Sequence, residues 1–199
     1  MRELLIATRN LGKRGEILTA LDGLPFTFLT LDDVDAGAEV EETGSTLAEN
    51  AALKAKTYAE RTGKLTIADD TGLEVDALGG RPGVHSARYC EGSMARGIDK
   101  LLGEMKDVPD GQRGATFRAI IAIYDPASKV ANICEGSVRG TIAHEARGPH
   151  GFGYDPIFEY ESKGKTGGEM TLDEKNRYSH RGRALAKARD ILIAEFAQS

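Results

Sequence analysis

There is no tryptophan among the 199 residues, and aromatic side chains make up only 6% of the chain. An extended platform on which nucleobases stack one after another needs more rings than that. Cysteine is limited to Cys90 and Cys134. Two thiols without metal-ligand spacing make neither a disulfide framework nor a zinc site, and both read as reduced structural residues. Basic charge is not in excess either, with 26 Lys and Arg against 31 Asp and Glu for a net charge of −5. No basic stripe of the kind that general nucleic-acid binders carry is evident. No apolar run approaches the roughly 18 residues a membrane helix needs. The opening Met1-Arg2-Glu3-Leu4-Leu5-Ile6 has no signal-peptide layout. These absences point to a cytoplasmic protein with no nucleic-acid partner and no membrane partner.

What is present suits a soluble globular chain, 40% hydrophobic and 29% charged, long enough for one full-sized core in one or two lobes. Glu3 to Thr8 reads as a strand, followed by a turn and a helix from about Gly12 to Leu21. Thr27 to Leu31 reads as a second strand. Asp32 to Gly44 is acidic and irregular. Thr46-Leu47-Ala48-Glu49 has the capping-box pattern, opening a helix that places Leu47, Ala51, Ala55 and Tyr58 on one stripe and that Gly63 stops. The apolar Leu65 to Ala68 reads as a buried strand ending at Asp69-Asp70, with a glycine turn at Thr71-Gly72. Ala95 to Met105 is helical. Ala115 to Tyr124 and Val130 to Gly140 form a hairpin around Asp125-Pro126-Ala127-Ser128. Gly148 to Gly168 is a glycine-rich loop, and Ser179 caps a last helix carrying Leu185, Ala188, Leu192 and Phe196. Strand-helix-strand-helix-strand order predicts an α/β sheet.

Several groups are chemically equipped. Two adjacent carboxylates, Asp69 and Asp70, at a buried strand are costly unless hydrogen bonds, basic partners or a divalent cation compensate them. Thr8-Arg9-Asn10-Leu11-Gly12-Lys13 sits at a strand-to-helix junction, where free amides and a lysine suit a phosphate. Its spacing is not that of a P-loop. Glu41-Glu42-Thr43-Gly44 precedes the capped helix, and Glu41 or Glu42 could join Asp70 as a hard oxygen ligand for Mg²⁺, which commonly uses one or two carboxylates plus substrate phosphates. Lys54 and Lys56 on that helix are further candidates for phosphate. Gly151-Phe152-Gly153-Tyr154-Asp155-Pro156 offers close backbone approach, ring faces and an acceptor for a heterocycle. Lys175 and then Ser179-His180-Arg181 put cations near a helix start, against the macrodipole, which is easier to understand if they serve a ligand.

Taken in order, Thr8-x-Asn10-x-Gly12-Lys13, Glu41-Glu42-Thr43-Gly44, Glu49-Asn50-Ala51, Ala68-Asp69-Asp70-Thr71-Gly72-Leu73, Ser86-Ala87-Arg88-Tyr89, Gly151-Phe152-Gly153-Tyr154-Asp155-Pro156-Ile157-Phe158 and Ser179-His180-Arg181 resemble the inosine triphosphate pyrophosphatase family. The resemblance covers about Leu4 to Phe196. Arg9 departs from it, standing where many members carry glycine. The resemblance implies a single domain over residues 1–199 with an elongated mixed β-sheet flanked by helices, two lobes and a central cleft, assembled as a homodimer. It implies Mg²⁺-dependent hydrolysis of ITP, dITP and XTP to monophosphate and pyrophosphate. By resemblance, Thr8, Arg9, Asn10, Leu11, Gly12 and Lys13 hold the triphosphate, and Glu41 or Glu42 with Asp70 holds the metal. Asp70 is the proton acceptor and Lys13 neutralises charge. Thr71, Phe152, Gly153, Tyr154, Asp155, Lys175, His180 and Arg181 bind the nucleotide, with Arg181 a donor for the keto oxygen at position 6 of the base. Two rivals stand beside this reading: a Maf-like pyrophosphatase for other modified nucleotides, and a nucleotide-binding regulator without activity. The intact set Glu41, Glu42, Asp69 and Asp70 disfavours the second, because an anion sensor gains nothing from carboxylates beside phosphate.

Overall fold

A computed structural model describes residues 1–90 and 92–197. In chain order the elements are β1 (Arg2–Ile6), α1 (Leu11–Leu21), β2 (Phe26–Thr30), α2 (Leu47–Thr62), β3 (Leu65–Val75), β4 (Pro82–Gly83), α3 (Met94–Glu104), β5 (Gly114–Asp125), β6 (Val130–Ile142), β7 (Phe158–Tyr160), β8 (Lys165–Thr166), α4 (Leu172–Tyr178) and α5 (His180–Ile191). A wider helical turn over Leu192–Phe196 continues α5. The strands hydrogen-bond in the order β2-β1-β3-β5-β6-β7-β8, with β4 paired off β3. It is an open mixed sheet of the α/β class, as the element order predicts.

The chain forms two compact units. The first comprises Met1–Asp70, Ala119–Gly136 and the stretch from Arg181 onward; the second comprises Thr71–Arg118 and Ser137–His180. In the first, β1 pairs parallel with β2 (Leu4 opposite Phe28) and with β3 (Leu4 opposite Leu65, Ile6 opposite Ile67). Its core joins Leu4, Ile6, Leu65 and Ile67 from the strands to Ile17 and Leu21 of α1 and to Ala184, Leu185 and Ala188 of α5. Leu5, on the opposite face of the pleat, is equally buried, as a parallel strand covered on both faces requires. α2 begins on the predicted Thr46–Glu49 capping box, ends at Gly63 in the left-handed conformation, and buries Leu47, Ala51, Ala55 and Tyr58. In the second unit β6, β7 and β8 run antiparallel, Gly140 facing Tyr160 and Tyr160 facing Lys165. Leu73, Val75, Leu101, Met105, Phe117, Ile157, Phe158 and Tyr160 fill its core.

Three features correct the sequence reading. β3 does not stop at Ala68; it continues to Val75, so Asp69, Asp70, Thr71 and Gly72 are strand residues rather than a turn. Asp and Gly have poor strand propensity, but the place of β3 in the sheet beside β5, together with pairing of Leu73 with Gly83 and Glu74 with Pro82, overrides it. The glycine-rich stretch contains β7 and β8, too short for a pattern of alternation to show. A further helix, α4, precedes Ser179 and carries its own capping box between Thr171 and Glu174.

Candidate active site

The period of two along β3 decides where its adjacent acids go. Leu65 and Ile67 face α1 and α5, so Asp69 faces them too, and Asp70 faces the other way. Asp69 Oδ1 lies 3.1 Å from Lys13 Nζ of α1, and its Oδ2 accepts from Arg181 Nε of α5 at 3.1 Å. Arg181 also donates through Nη1 to Glu16 of α1. Arg181, Asp69 and Glu16 are buried, so this is an internal chain of alternating charge. Burial pushes the Asp69 carboxyl up, but Lys13, Arg181 and Lys54 together outweigh it and hold the group far below the ordinary carboxylate range. Burial in turn lowers the Lys13 ammonium, against the pull of Asp69.

Asp70 is received by α2. Lys54 Nζ sits 3.0 Å from its Oδ1 and 2.6 Å from Glu42 Oε1, while Asn50 Nδ2 donates to its Oδ2 at 3.4 Å. Burial raises the Asp70 carboxyl, Lys54 lowers it and the neighbouring Glu42 raises it again, leaving it above its ordinary value of 3.8. For Glu42 burial is outweighed by Lys54, and its carboxyl is lowered. Two neighbouring carboxylates that share one ammonium are thus driven in opposite directions. Of the two candidate acids in the loop, Glu42 is half-buried at this cluster and Glu41 is exposed. Lys56, the other candidate lysine, is exposed and lies 3.9 Å from Glu60. Among the described residues no three His, Cys, Asp or Glu side chains converge as a metal cage. Glu42 and Asp70 instead share the Lys54 ammonium; as two hard oxygen donors they match the number of carboxylates that Mg²⁺ commonly uses beside phosphate.

The turn from Thr8 to Lys13 opens α1 with a side-chain cap. Thr8 Oγ1 accepts from Asn10 N at 3.2 Å, and Asn10 Oδ1 caps α1 by accepting from Lys13 N at 3.0 Å. Arg9, Asn10 and Leu11 are exposed, and Leu11 at 69% is among the most exposed large apolar residues described. The local sequence explains the shape: Asn is a strong N-cap, and the positive end of α1 then points out of the turn.

The second unit brings a different set together. Asp155 Oδ2 accepts from Phe152 N at 2.8 Å and from Lys175 Nζ at 2.6 Å, and that ammonium also lies 4.6 Å from the centre of the Phe152 ring. Gly151 has φ of +78°, and a Cβ there would sit 2.7 Å from Asp155, so the backbone wraps the carboxylate at a distance only glycine allows. Gly153 also takes positive φ. Tyr154 turns inward, its hydroxyl donating to Ser86 O at 3.0 Å and lying 3.2 Å from Cys90 Sγ. It braces the loop and offers no open ring face. His180 is buried and stacks on Phe117 at 4.4 Å. Thr71 stands half-buried on β3.

A family model described as Ham1 family matches residues 4–191. The chain belongs to the Ham1 family. Among curated relatives, the dITP/XTP pyrophosphatase of Geobacter sulfurreducens is 49% identical over 96% of this chain and 97% of its own. That of Bacillus subtilis is 45% identical over 98% of each. A solved HAM1 protein from Coxiella burnetii superposes with a TM-score of 0.87 at 39% identity, covering 97% of this chain and 99% of its own. The family resemblance carried by the seven islands is therefore borne out. Within this Ham1 chain, the residues that sequence reasoning left without a role are Glu16 and Asn50. Glu16 lies three residues after Lys13, the spacing that puts two side chains on one helix face. Asn50 sits one turn before Lys54 on α2.

Proposed function

We propose that this Ham1-family chain hydrolyses noncanonical purine nucleoside triphosphates, ITP, dITP and XTP, to the monophosphate and pyrophosphate. The observation that carries the reading is that Glu42 and Asp70 converge on one ammonium, Lys54 Nζ, at 2.6 and 3.0 Å, in a unit whose α1 opens with free amides and Lys13 at its start. The names of the curated relatives, dITP/XTP pyrophosphatases in Geobacter sulfurreducens and Bacillus subtilis, support the substrate class.

Phosphoryl-type transfer is mostly positioning and neutralisation of spread charge. Thr8, Arg9, Asn10, Leu11, Gly12 and Lys13 hold the triphosphate at the start of α1, with Lys13 Nζ supplying fixed positive charge. Glu42, with Glu41 as the other acid of the loop, and Asp70 would hold Mg²⁺, which when bound supplies further charge neutralisation to the phosphate oxygens. Asp70, its carboxyl already raised, orients the attacking water and takes its proton as the bond between the α-phosphorus and the bridging oxygen breaks. Lys54 keeps Glu42 and Asp70 from repelling one another. Phe152 offers a ring face to the base, and Gly153, Tyr154, Thr71 and His180 are the further residues assigned to the nucleotide. Lys175 and Asp155 present a donor and an acceptor, matching the keto oxygen and N1–H of hypoxanthine and xanthine and mismatching adenine. Arg181, whose guanidinium carries five donors, can serve the keto oxygen as well as its two carboxylates. We read the working form as a cytoplasmic homodimer.

The test is incubation of the purified protein with Mg²⁺ and, side by side, ITP, XTP, GTP and ATP, with pyrophosphate and orthophosphate measured separately. Pyrophosphate released from ITP and XTP in preference to ATP is expected. Stepwise release of orthophosphate, or equal turnover of ATP, would refute it.

A further inference from the structure

Asn50 is fully buried on α2, and its amide faces two ways. Oδ1 accepts from Gly44 N at 2.8 Å, and Nδ2 donates to Asp70 Oδ2 at 3.4 Å. The amide has no choice of orientation, because the Gly44 amide is a donor and demands the oxygen, which turns the nitrogen toward the carboxylate. Gly44 is equally constrained. A Cβ on it would lie 2.6 Å from Asn50 Oδ1 and 2.7 Å from Glu49 Cβ, so only glycine permits this approach. The next residues are tied down as well. Glu49 Oε2 accepts from Ser45 N at 2.7 Å, Ser45 Oγ at 2.8 Å and Thr46 N at 3.2 Å. The loop bearing Glu42 therefore enters α2 through a fixed joint. One turn later the same helix face presents Lys54, which contacts both Glu42 and Asp70.

We propose that Asn50 is a positioning residue for hydrolysis: its side-chain amide locks the acidic loop and the Asp70 carboxylate to one another, so that Glu42 and Asp70 keep a single working separation. The proposal rests on the role given to Asp70 above. Helix α2 thus holds Asp70 by both oxygens, Oδ1 through a charged donor and Oδ2 through a neutral one. Lys54 could hold the two acids near one another as a swivelling point charge; the planar amide adds direction.

Two substitutions separate this role from loop anchoring. Asn50→Asp keeps an oxygen for Gly44 N but replaces the donor to Asp70 by a repelling carboxylate; Asn50→Leu removes both bonds. Amide hydrogen exchange at Gly44, followed by NMR without nucleotide, reads the anchor: protection is expected to persist in N50D and to fall in N50L. A misplaced reacting group typically loses about 100-fold. We therefore expect N50D to lose roughly 30-fold or more in kcat, with KM for ITP within about 3-fold; the added buried charge lowers its melting temperature, so turnover is measured well below it. N50D turning over within about 3-fold of the parent overturns the proposal. If N50D does not fold, Gly44→Ala decides, since its methyl displaces the Asn50 amide: a loss of about 10-fold or more in kcat supports the role, and an unchanged kcat overturns it. Asp70→Asn is run alongside. Inactive D70N with active N50D overturns this inference alone, whereas active D70N removes the Asp70 assignment and this inference with it.

Discussion

In the unit that holds β3 up to Asp70, the candidate residues form charge networks: Lys13, Glu16, Asp69 and Arg181 on one face of the strand, Glu42, Lys54 and Asp70 on the other. In the unit that begins at Thr71, the candidate residues form ring contacts and one ion pair, with Phe152, Asp155 and Lys175 in one group and His180 stacked on Phe117 in another. The first arrangement resembles what a polyanion and a cation need, with many charges fixed in advance. The second resembles what a flat heterocycle needs, with area for stacking and a few directional contacts. Buried charge networks are weak evidence of stability, since burying ions is expensive even when they are paired. Their presence on both faces of β3 makes more sense as preparation for chemistry.

The contrast can be broken most sharply at Asp70. Asp70→Asn is expected to lower kcat by about 1,000-fold or more, the scale of losing a proton acceptor together with a fixed charge. Steady-state pyrophosphate release measures it. Burial raises the Asp70 carboxyl while Lys54 lowers it, so little stability should be lost with its charge. Asp69→Asn should do the reverse on stability. It leaves Lys13 and Arg181 buried without their shared anion, at a cost of about 3–5 kcal/mol, readable by urea denaturation. The Asp69 carboxyl is depressed below its ordinary 3.8. Its stabilisation is therefore complete above about pH 4 and is lost only as pH falls through the much lower folded-state value. The gap between parent and variant should stay constant from pH 8 to about 5 and close only in strong acid.

Lys13→Ala comes next, with a loss of about 100-fold in kcat/KM for ITP, typical of removing one preorganised donor to developing negative charge. Phe152→Ala is the smallest. It should raise KM about 10-fold through lost stacking, worth roughly 1–3 kcal/mol per base, while kcat changes little. Should F152A depress kcat and D70N raise only KM, the division of labour between the two units would be wrong.

Much of this was legible beforehand because it depends on neighbours in sequence. The Thr46 cap, the Gly63 stop and the hairpin around Asp125 to Ser128 are local rules, and the structure follows them. The continuation of β3 past Gly72 is not local; it goes with partners distant in sequence, β5 and the pair Pro82 and Gly83. The chemical islands were visible as residue types in order, but their partners were not. Arg181 meets Asp69 across more than a hundred residues, and nothing in either neighbourhood announces it. Asn50 was visible in the Glu49-Asn50-Ala51 island, yet its task depends on a carboxylate twenty residues away.

Because β3 sorts its acids by odd and even position, the strand works as a two-way address. Losing a single residue between Leu65 and Asp69 would deliver each carboxylate to the wrong helix, with every residue type still present and the amino-acid composition almost unchanged. Length changes in this stretch should therefore be far less tolerable during divergence than exchanges of one apolar side chain for another, and a surviving insertion or deletion there should come in twos.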